Sequence, residues 1–572
     1  MLKNYDKIRK PFDLNGDWLL IEDKAENGMY FQNVGDLGLW RKITVPSDIA
    51  TCYPERPYNK GVFWYRKTFT LDDTYSSRRV LIHFDAVNYL AHIYLNGKYV
   101  GMNGQGFLPF DIDITEAVKI NEENELLVRV DTRRRQGELP TSFYWKNYGG
   151  ILRDVCIYST TDSYIEKAYV EAHSDGTAIF NTKVVADGDM TLKISVCDSD
   201  GNKISEVENK AESNLIIETK SENISLWSVD CPTLYTAEIS LLKNKEIIDK
   251  KSFCFGYRDI EITDGKICLN KKEIFLKGFN RHEDHPKSGG SACEEVVKND
   301  FKMIKDSGAN FIRMCHYPHD ERELDEADRL GLLLLVEIPL CAYMTDCFGI
   351  ENPDDLRHKD VVYRNARENL IRMIERDRNH PSVIIWSVSN ENNEPESTEV
   401  LDNHKALIQL AQKLDPTRLA THVSMHSRNA KRDTFFIYDD VICINTYVSL
   451  LGRKTRRDEN YDFKKSRQML CETISGLKTS YPGKPVIVSE FGYYTGIAFD
   501  SVDDEKIQAE AVKTEYLAIK EFGEGASVWI FADHKWPDDP KIPGTLSTYG
   551  LLNRDRTKKE AFDVFSELLK QD

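Results

Sequence analysis

No stretch of this 572-residue chain is apolar for the roughly 20 residues that a bilayer crossing takes. The longest apolar runs, such as Leu332 to Val336 and Val383 to Trp386, fall far short of it. The opening residues, Met1-Leu2-Lys3-Asn4-Tyr5-Asp6, lack the apolar stretch and small-residue cleavage site of a secretory signal, so a cytoplasmic location is expected. Basic charge is in deficit. A net charge of -17 argues against the electropositive surface that phosphate backbones require, and neither a nucleic-acid nor a membrane partner is expected. The one dense basic run, Arg133-Arg134-Arg135, reads as a solvated loop. Closely spaced Cys/His clusters are missing as well. The twelve cysteines stand singly, many inside apolar segments such as Phe311-Ile312-Arg313-Met314-Cys315, and read as buried free thiols rather than zinc ligands.

What is present falls into three textures. Up to about Tyr158, short alternating runs such as Val80-Leu81-Ile82-His83-Phe84 and Ala91-His92-Ile93-Tyr94-Leu95 are punctuated by turns, among them Asn96-Gly97. Period-2 strands with an Asn-Gly hairpin predict a β-sandwich, assigned to residues 1–160. Residues 161–259 repeat that texture on a smaller scale, with Leu192 to Val196 and Tyr235 to Ile239, and predict an immunoglobulin-like sandwich. From Ile260 to the end at Asp572, apolar runs alternate with helical-period stretches.

Eight apolar runs are expected as strands: Glu273 to Phe279, Asn310 to His316, Leu332 to Pro339, Val383 to Glu391, Leu419 to Val423, Val441 to Tyr447, Pro485 to Phe491 and Ala526 to Asp533. Eight strands with intervening helices in about 310 residues predict a (β/α)8 TIM barrel. An open doubly wound sheet would want a glycine-rich phosphate loop after its first strand, and Gly278-Phe279-Asn280-Arg281 is not one.

In such a barrel, polar residues at the C-terminal strand ends face the active site. Two carboxylates stand there. The fourth run breaks into Asn390-Glu391-Asn392 and the seventh into Glu490-Phe491-Gly492. An acid that directly follows a buried strand is costly without a partner or a purpose. One alone reads equally well as a helix cap or an arginine partner, whereas two at equivalent rim positions fit the paired carboxyls of glycoside hydrolysis. Further rim candidates are Arg313, His316, His282, His285, Asn445, Tyr447 and Trp529; each is weak singly, but together they offer the donors, acceptors and aromatic face that a polyhydroxylated ligand needs.

These residues resemble glycoside hydrolase family 2, the family of β-galactosidases, β-glucuronidases and β-mannosidases, over essentially the whole chain. Leu14-Asn15-Gly16-Asp17-Trp18, Phe63-Trp64-Tyr65-Arg66 and Asn147-Tyr148-Gly149-Gly150-Ile151 look like its N-terminal jelly-roll domain. Pro232-Thr233-Leu234-Tyr235 and Phe255-Gly256-Tyr257-Arg258 look like its second sandwich. The barrel carries Gly278-Phe279-Asn280-Arg281-His282-Glu283-Asp284-His285-Pro286, His316-Tyr317-Pro318 and Asn379-His380-Pro381-Ser382 through Asn390-Glu391. By resemblance, Glu391 is the acid/base, Glu490 the nucleophile and Asn390 the ligand of the sugar 2-hydroxyl. Arg313 and Tyr447 would position Glu490, Trp529 would floor the terminal-sugar site, and His285 and His316 would contact hydroxyls. The resemblance implies no cofactor and no catalytic metal, since the acid and histidine of magnesium-dependent members find no match in Pro339-Leu340-Cys341-Ala342. It also implies assembly into homo-oligomers.

Departures from the family pattern bear on the substrate. β-Glucuronidases of the family present Asn-x-Lys before a Gly-x-x-x-Arg-Asp-Arg stretch, which here is Gly550 to Arg556 preceded by Ser547-Thr548-Tyr549. Without that lysine a uronate carboxylate loses its charge-assisted contact, unless Lys541, Lys558 or Lys559 substitutes. The expectation is therefore a retaining exo-β-glycosidase acting on a small glycoside or oligosaccharide, β-galactosidase-like with a neutral sugar. Tyr144, standing where many members place an aspartate, departs from ordinary β-galactosidases. A β-glucuronidase or β-galacturonidase with relocated carboxylate recognition is the alternative, and a non-catalytic carbohydrate-binding protein the rival from another class.

Overall fold

The computed structural model describes residues 7–24, 26, 39–53, 60–133, 137–140, 145–341, 359–392, 398–425, 435–451, 463–495, 505–536 and 546–571. The N-terminal part pairs a six-stranded antiparallel sheet with a four-stranded one. Alternation along strands such as Leu90–Leu95 turns Ala91, Ile93 and Leu95 into a shared core with Trp18, Phe63, Tyr65 and Ile82. The hairpin at Asn96-Gly97 forms as expected, with both residues at positive φ and Leu95 paired to Lys98. The next part stacks the three-stranded sheet Tyr164–Ala172, Thr177–Val185 and Asn214–Lys220 on a four-stranded one, around Phe180, Leu192, Ile239 and Phe255. Seven strands in two sheets give the immunoglobulin-like sandwich.

Eight parallel strands then close into a barrel. They are β1 (Leu276–Arg281), β2 (Phe311–Met314), β3 (Leu333–Glu337), β4 (Val383–Asn390), β5 (Leu419–Met425), β6 (Ile442–Asn445), β7 (Val486–Phe491) and β8 (Gly525–Val528). All eight expected runs form a strand, with shifted ends. Glu273 lies in a short hairpin that precedes the barrel, and the last strand ends at Val528, so Trp529 to Asp533 lie beyond the ladder. The helices pack outside; the last, Glu560–Lys570, lays Phe562 and Phe565 on Phe279 of β1. No described helix is long and apolar enough to cross a membrane.

The two sandwiches are bolted to opposite ends of the barrel. At the floor, Arg258 donates to the carbonyls of Pro381, Thr417 and Val383, and the buried Trp227 indole donates to Asp328 O. At the rim, Arg153 meets Glu283 and Pro318 O, and Tyr148 donates to Asp284 at 2.9 Å. Gly290 is required there, because a Cβ would come within 2.6 Å of the Tyr148 ring.

The cysteines correct one expectation. Cys156, Cys268, Cys315, Cys341 and Cys443 are buried, but Cys231, Cys254 and Cys293 are exposed and Cys52, Cys197 and Cys471 intermediate. The exposed three lie in a turn, on an outward-facing strand position and just before a helix, where the period-2 and cap environments leave the side chain in solvent.

Candidate active site

The rim chemistry begins with register breaks. Pairing between β4 and β5 slips between Ser387 and Asn390, between β6 and β7 at Ile444/Asn445, and between β7 and β8 between Val488 and Phe491. Bulges of this kind re-aim side chains at barrel rims. They fall where Asn390, Glu391, Asn445 and Glu490 stand. Glu391 itself takes φ +51°, a left-handed conformation costing a non-glycine residue about 1–3 kcal/mol, and its N–H is fixed on Val423 O at 2.8 Å. Past Glu490, Gly492 at φ +132° lets the chain pass Trp529, where a Cβ would meet Trp529 O at 3.0 Å.

Arg313, wholly buried at the end of β2, organises the rest. Its Nη1 donates to Glu490 Oε1 at 2.5 Å and to Asn280 Oδ1 at 3.0 Å. Its Nη2 donates to Asn390 Oδ1 at 2.7 Å and to both oxygens of Glu337 at 3.0 and 3.1 Å. Tyr447 Oη donates to the other Glu490 oxygen at 2.5 Å. Asn445 Nδ2 donates to Glu391 Oε1 at 2.8 Å and to Asn390 Oδ1 at 3.0 Å, and is oriented by Ser489 Oγ, which donates to its Oδ1 at 2.8 Å. Glu391 and Glu490 thus belong to one hydrogen-bonded set, with relative exposures of 6% and 3%.

Their surroundings differ. Among the described residues, Glu490 has a guanidinium and a phenol donating to it, whereas Glu391 has one amide. Burial, then the nearby Glu490 charge, push Glu391 up to about 8. Glu337 goes the other way: burial alone would raise it, but Arg313, His316 and Ser387 hold it at about 2. Burial and the two carboxylates also act on Tyr447, holding its phenol well above the usual range and so protonated as a donor to Glu490.

An aromatic wall stands beside the network. Trp529 stacks on His316, with centroids 5.4 Å apart and planes 15° off parallel, and meets His282 edge-on. Trp145, delivered by the N-terminal sandwich, stacks on His282 and tilts over His316 at 5.4 Å. The structure therefore brings together Glu391, Glu490, Asn390, Arg313, His316, Asn445, Tyr447 and Trp529. His285 is placed outside this set: its backbone pairs with Gly289, its Nδ1 accepts from Lys287 N, and its carbonyl accepts from Arg554. Tyr144 lies outside the described residues. Glu337, Asn280 and Trp145 also join the site, beyond the residues that the sequence singles out as rim candidates. Glu337 carried a usable signal, an acid closing the apolar run Leu332 to Val336.

Cleaving a glycosidic bond asks for two carboxyls at one site, and the end of this barrel brings Glu391 and Glu490 into one hydrogen-bonded set. That places the chain among the glycoside hydrolases. Sequence comparison narrows the class. The family profile described as the TIM barrel domain of glycosyl hydrolases family 2 matches residues 260–571, the family's sugar binding domain matches 15–161, and a third profile of the family matches 163–258. The chain belongs to glycosyl hydrolases family 2. A β-galactosidase of Thermoanaerobacter pseudethanolicus is 31% identical over 76% of this chain and 58% of its own length. A β-glucuronidase of Streptococcus agalactiae is 27% identical over 98% of this chain and 96% of its own. Among solved structures, the β-glucuronidase from Ruminococcus gnavus in complex with D-glucaro 1,5-lactone superposes with a TM-score of 0.87 at 25% identity, covering 98% of this chain and 97% of that one.

Proposed function

We propose that the chain is a retaining exo-β-glycosidase working by double displacement. Glu490 attacks the anomeric carbon while Glu391 gives its proton to the departing glycosidic oxygen; Glu391 then takes a proton from the water that releases the sugar from Glu490. Retention requires the two carboxyls to stand about 5–5.5 Å apart. The observation that carries this reading is the asymmetry of the pair: Arg313 and Tyr447 both donate to Glu490, and Glu391 is the group whose environment favours the acid. Asn390, His316 and Trp529, with His282 and Trp145 beside them, would bind the terminal sugar.

The same assignment sets a pH profile. Glu391 is raised to about 8, so the acid form is present below that pH and lost above it. Wild-type kcat/KM should fall about tenfold per unit on the alkaline side of pH 8. Glu391→Gln should lose that limb and slow alkyl glycosides by about 10²–10⁴-fold, with a smaller effect on nitrophenyl glycosides whose leaving group needs no proton. An alkaline limb unchanged in the variant would move the acid role to another residue.

A neutral, galactose-like sugar is the favoured substrate. Tyr549, where a uronate-reading lysine would stand, packs its ring on Tyr447 and Tyr494. Lys559 is committed to Asp533 at 2.8 Å, and Lys558 to Asp563 at 3.0 Å on the surface. Lys541 lies outside the described residues. The second reading, a β-glucuronidase, is favoured by relatives that match along their full length and carry that name. A panel of nitrophenyl glycosides separates the two: the galactoside should exceed the glucuronide in kcat/KM by at least about tenfold, the worth of one charge-assisted hydrogen bond. A uronide as best substrate would reverse the order, and binding without turnover across the panel would favour a carbohydrate-binding protein.

A further inference from the structure

Beside the carboxylate pair, two histidines of the proposed sugar pocket share a corner with a thiol that the sugar chemistry does not use. Ligand atoms of His282, Cys315 and His316, all buried, lie within 4.8 Å of one another. Among the described residues neither ring nitrogen of His282 has a hydrogen-bond partner, although the residue is only 5% exposed. Leaving such a group unpaired inside a protein costs about 1–3 kcal/mol, which a ligand would relieve. Among the described residues Cys315 engages its thiol in one weak bond, to Arg281 O at 3.2 Å. His316 has Nδ1 2.7 Å from Glu337 Oε1, the outer carboxylate contact that fixes the tautomer of a metal-ligating histidine and leaves Nε2 to bind. The other buried acid/histidine group, Glu283, His319 and Glu323, is already met by Arg153 and Arg281.

We propose that His282, Cys315 and His316 form an inhibitory binding site for a borderline-soft divalent cation such as Zn²⁺, closing the terminal-sugar pocket. Two imidazoles and a thiolate are the donors such an ion selects, with a fourth position left to water, and Mg²⁺ is excluded by its demand for oxygen ligands. On binding, the Cys315 S–H bond breaks, its proton passes to solvent and an Sγ–metal bond forms. Burial opposes that loss, holding the thiol well above its ordinary range, and the ion's charge supplies the compensation. Arg313 repels the ion, but Glu337, Glu490 and the new thiolate outnumber it. His282 and His316 are also the side chains offered to the sugar, so the ion and the sugar compete. Inhibition rests on the glycosidase reading; binding does not.

The test uses chelator-treated full-length protein titrated with ZnCl₂, reading both bound metal by calorimetry and glycoside hydrolysis. Wild type should bind Zn²⁺ and be inhibited competitively, with no response to MgCl₂. Cys315→Ser and His282→Gln should each weaken binding and inhibition by at least about tenfold, the lower end of the cost of losing even an outer-shell partner, with each rate referred to that variant's own zinc-free value. Folding of both is checked by thermal unfolding. Co²⁺ added to wild type gives an independent reading, a thiolate-to-metal absorption band absent from Cys315→Ser. Wild-type zinc affinity in both variants, or a cobalt spectrum unchanged by Cys315→Ser, overturns the site. Zinc held by wild type and lost in the variants of a protein that hydrolyses no glycoside would overturn the enzyme reading and leave the metal site standing.

Discussion

Glu490→Gln is expected to lower turnover by about 10⁴-fold or more on every glycoside, activated nitrophenyl substrates included. Glutamine keeps the shape but not the charge. Arg313 and Tyr447 would then aim their donors at a neutral amide whose nitrogen cannot accept from either, and no lone pair of comparable basicity would face the anomeric carbon. Because a good leaving group relieves the need for an acid but not for a nucleophile, the contrast with Glu391→Gln identifies the two roles. Steady-state rates of both variants on one nitrophenyl glycoside make the comparison. Wild-type turnover by Glu490→Gln would refute the assignment.

Arg313→Met should be the most disruptive single change in the barrel. The guanidinium is wholly buried and is the countercharge for two buried carboxylates, Glu337 and Glu490. Removing one partner of such a set costs about 3–5 kcal/mol, because the remaining anions must stay buried unpaired or take up protons. Activity should fall with stability, since Glu490, Asn390 and Asn280 all lose their common donor. Chemical denaturation measures the first effect. Adding Glu337→Gln to Arg313→Met should recover part of the stability but not the activity; no recovery would show that Glu337 is not the stranded charge. Linkage has a definite sign here. Glu337 is held at about 2, so its contribution to stability is present above its unfolded value near 4.5 and is lost as pH falls toward 2.

The barrel was legible because its strands are buried on both faces and read as unbroken apolar runs, separated by amphipathic helices. Glu391 and Glu490 were legible for a related reason: each is the first charge after such a run. Glu337 gives the same signal, but Ile338 and Pro339 extend the apolar run past it, so it reads as part of the strand rather than its polar end. Trp145 was not legible at all. It reaches the pocket from another domain, and no local pattern records which distant rim a loop will meet. The same limit applies to His282 and His285, three residues apart: His285 pairs locally with Gly289, whereas His282 meets Trp145 and Trp529, which come from distant parts of the chain.

Trp145 also changes what counts as the unit of selectivity. Lys146 N is fastened to Lys535 O and Tyr148 to Asp284, so the indole beside His282 is held by a seam between two separately built modules. On the proposed reading, exchanging only the C-terminal module among relatives would transplant the reacting groups without the indole beside His282, and substrate preference would be inherited by the pair of modules together.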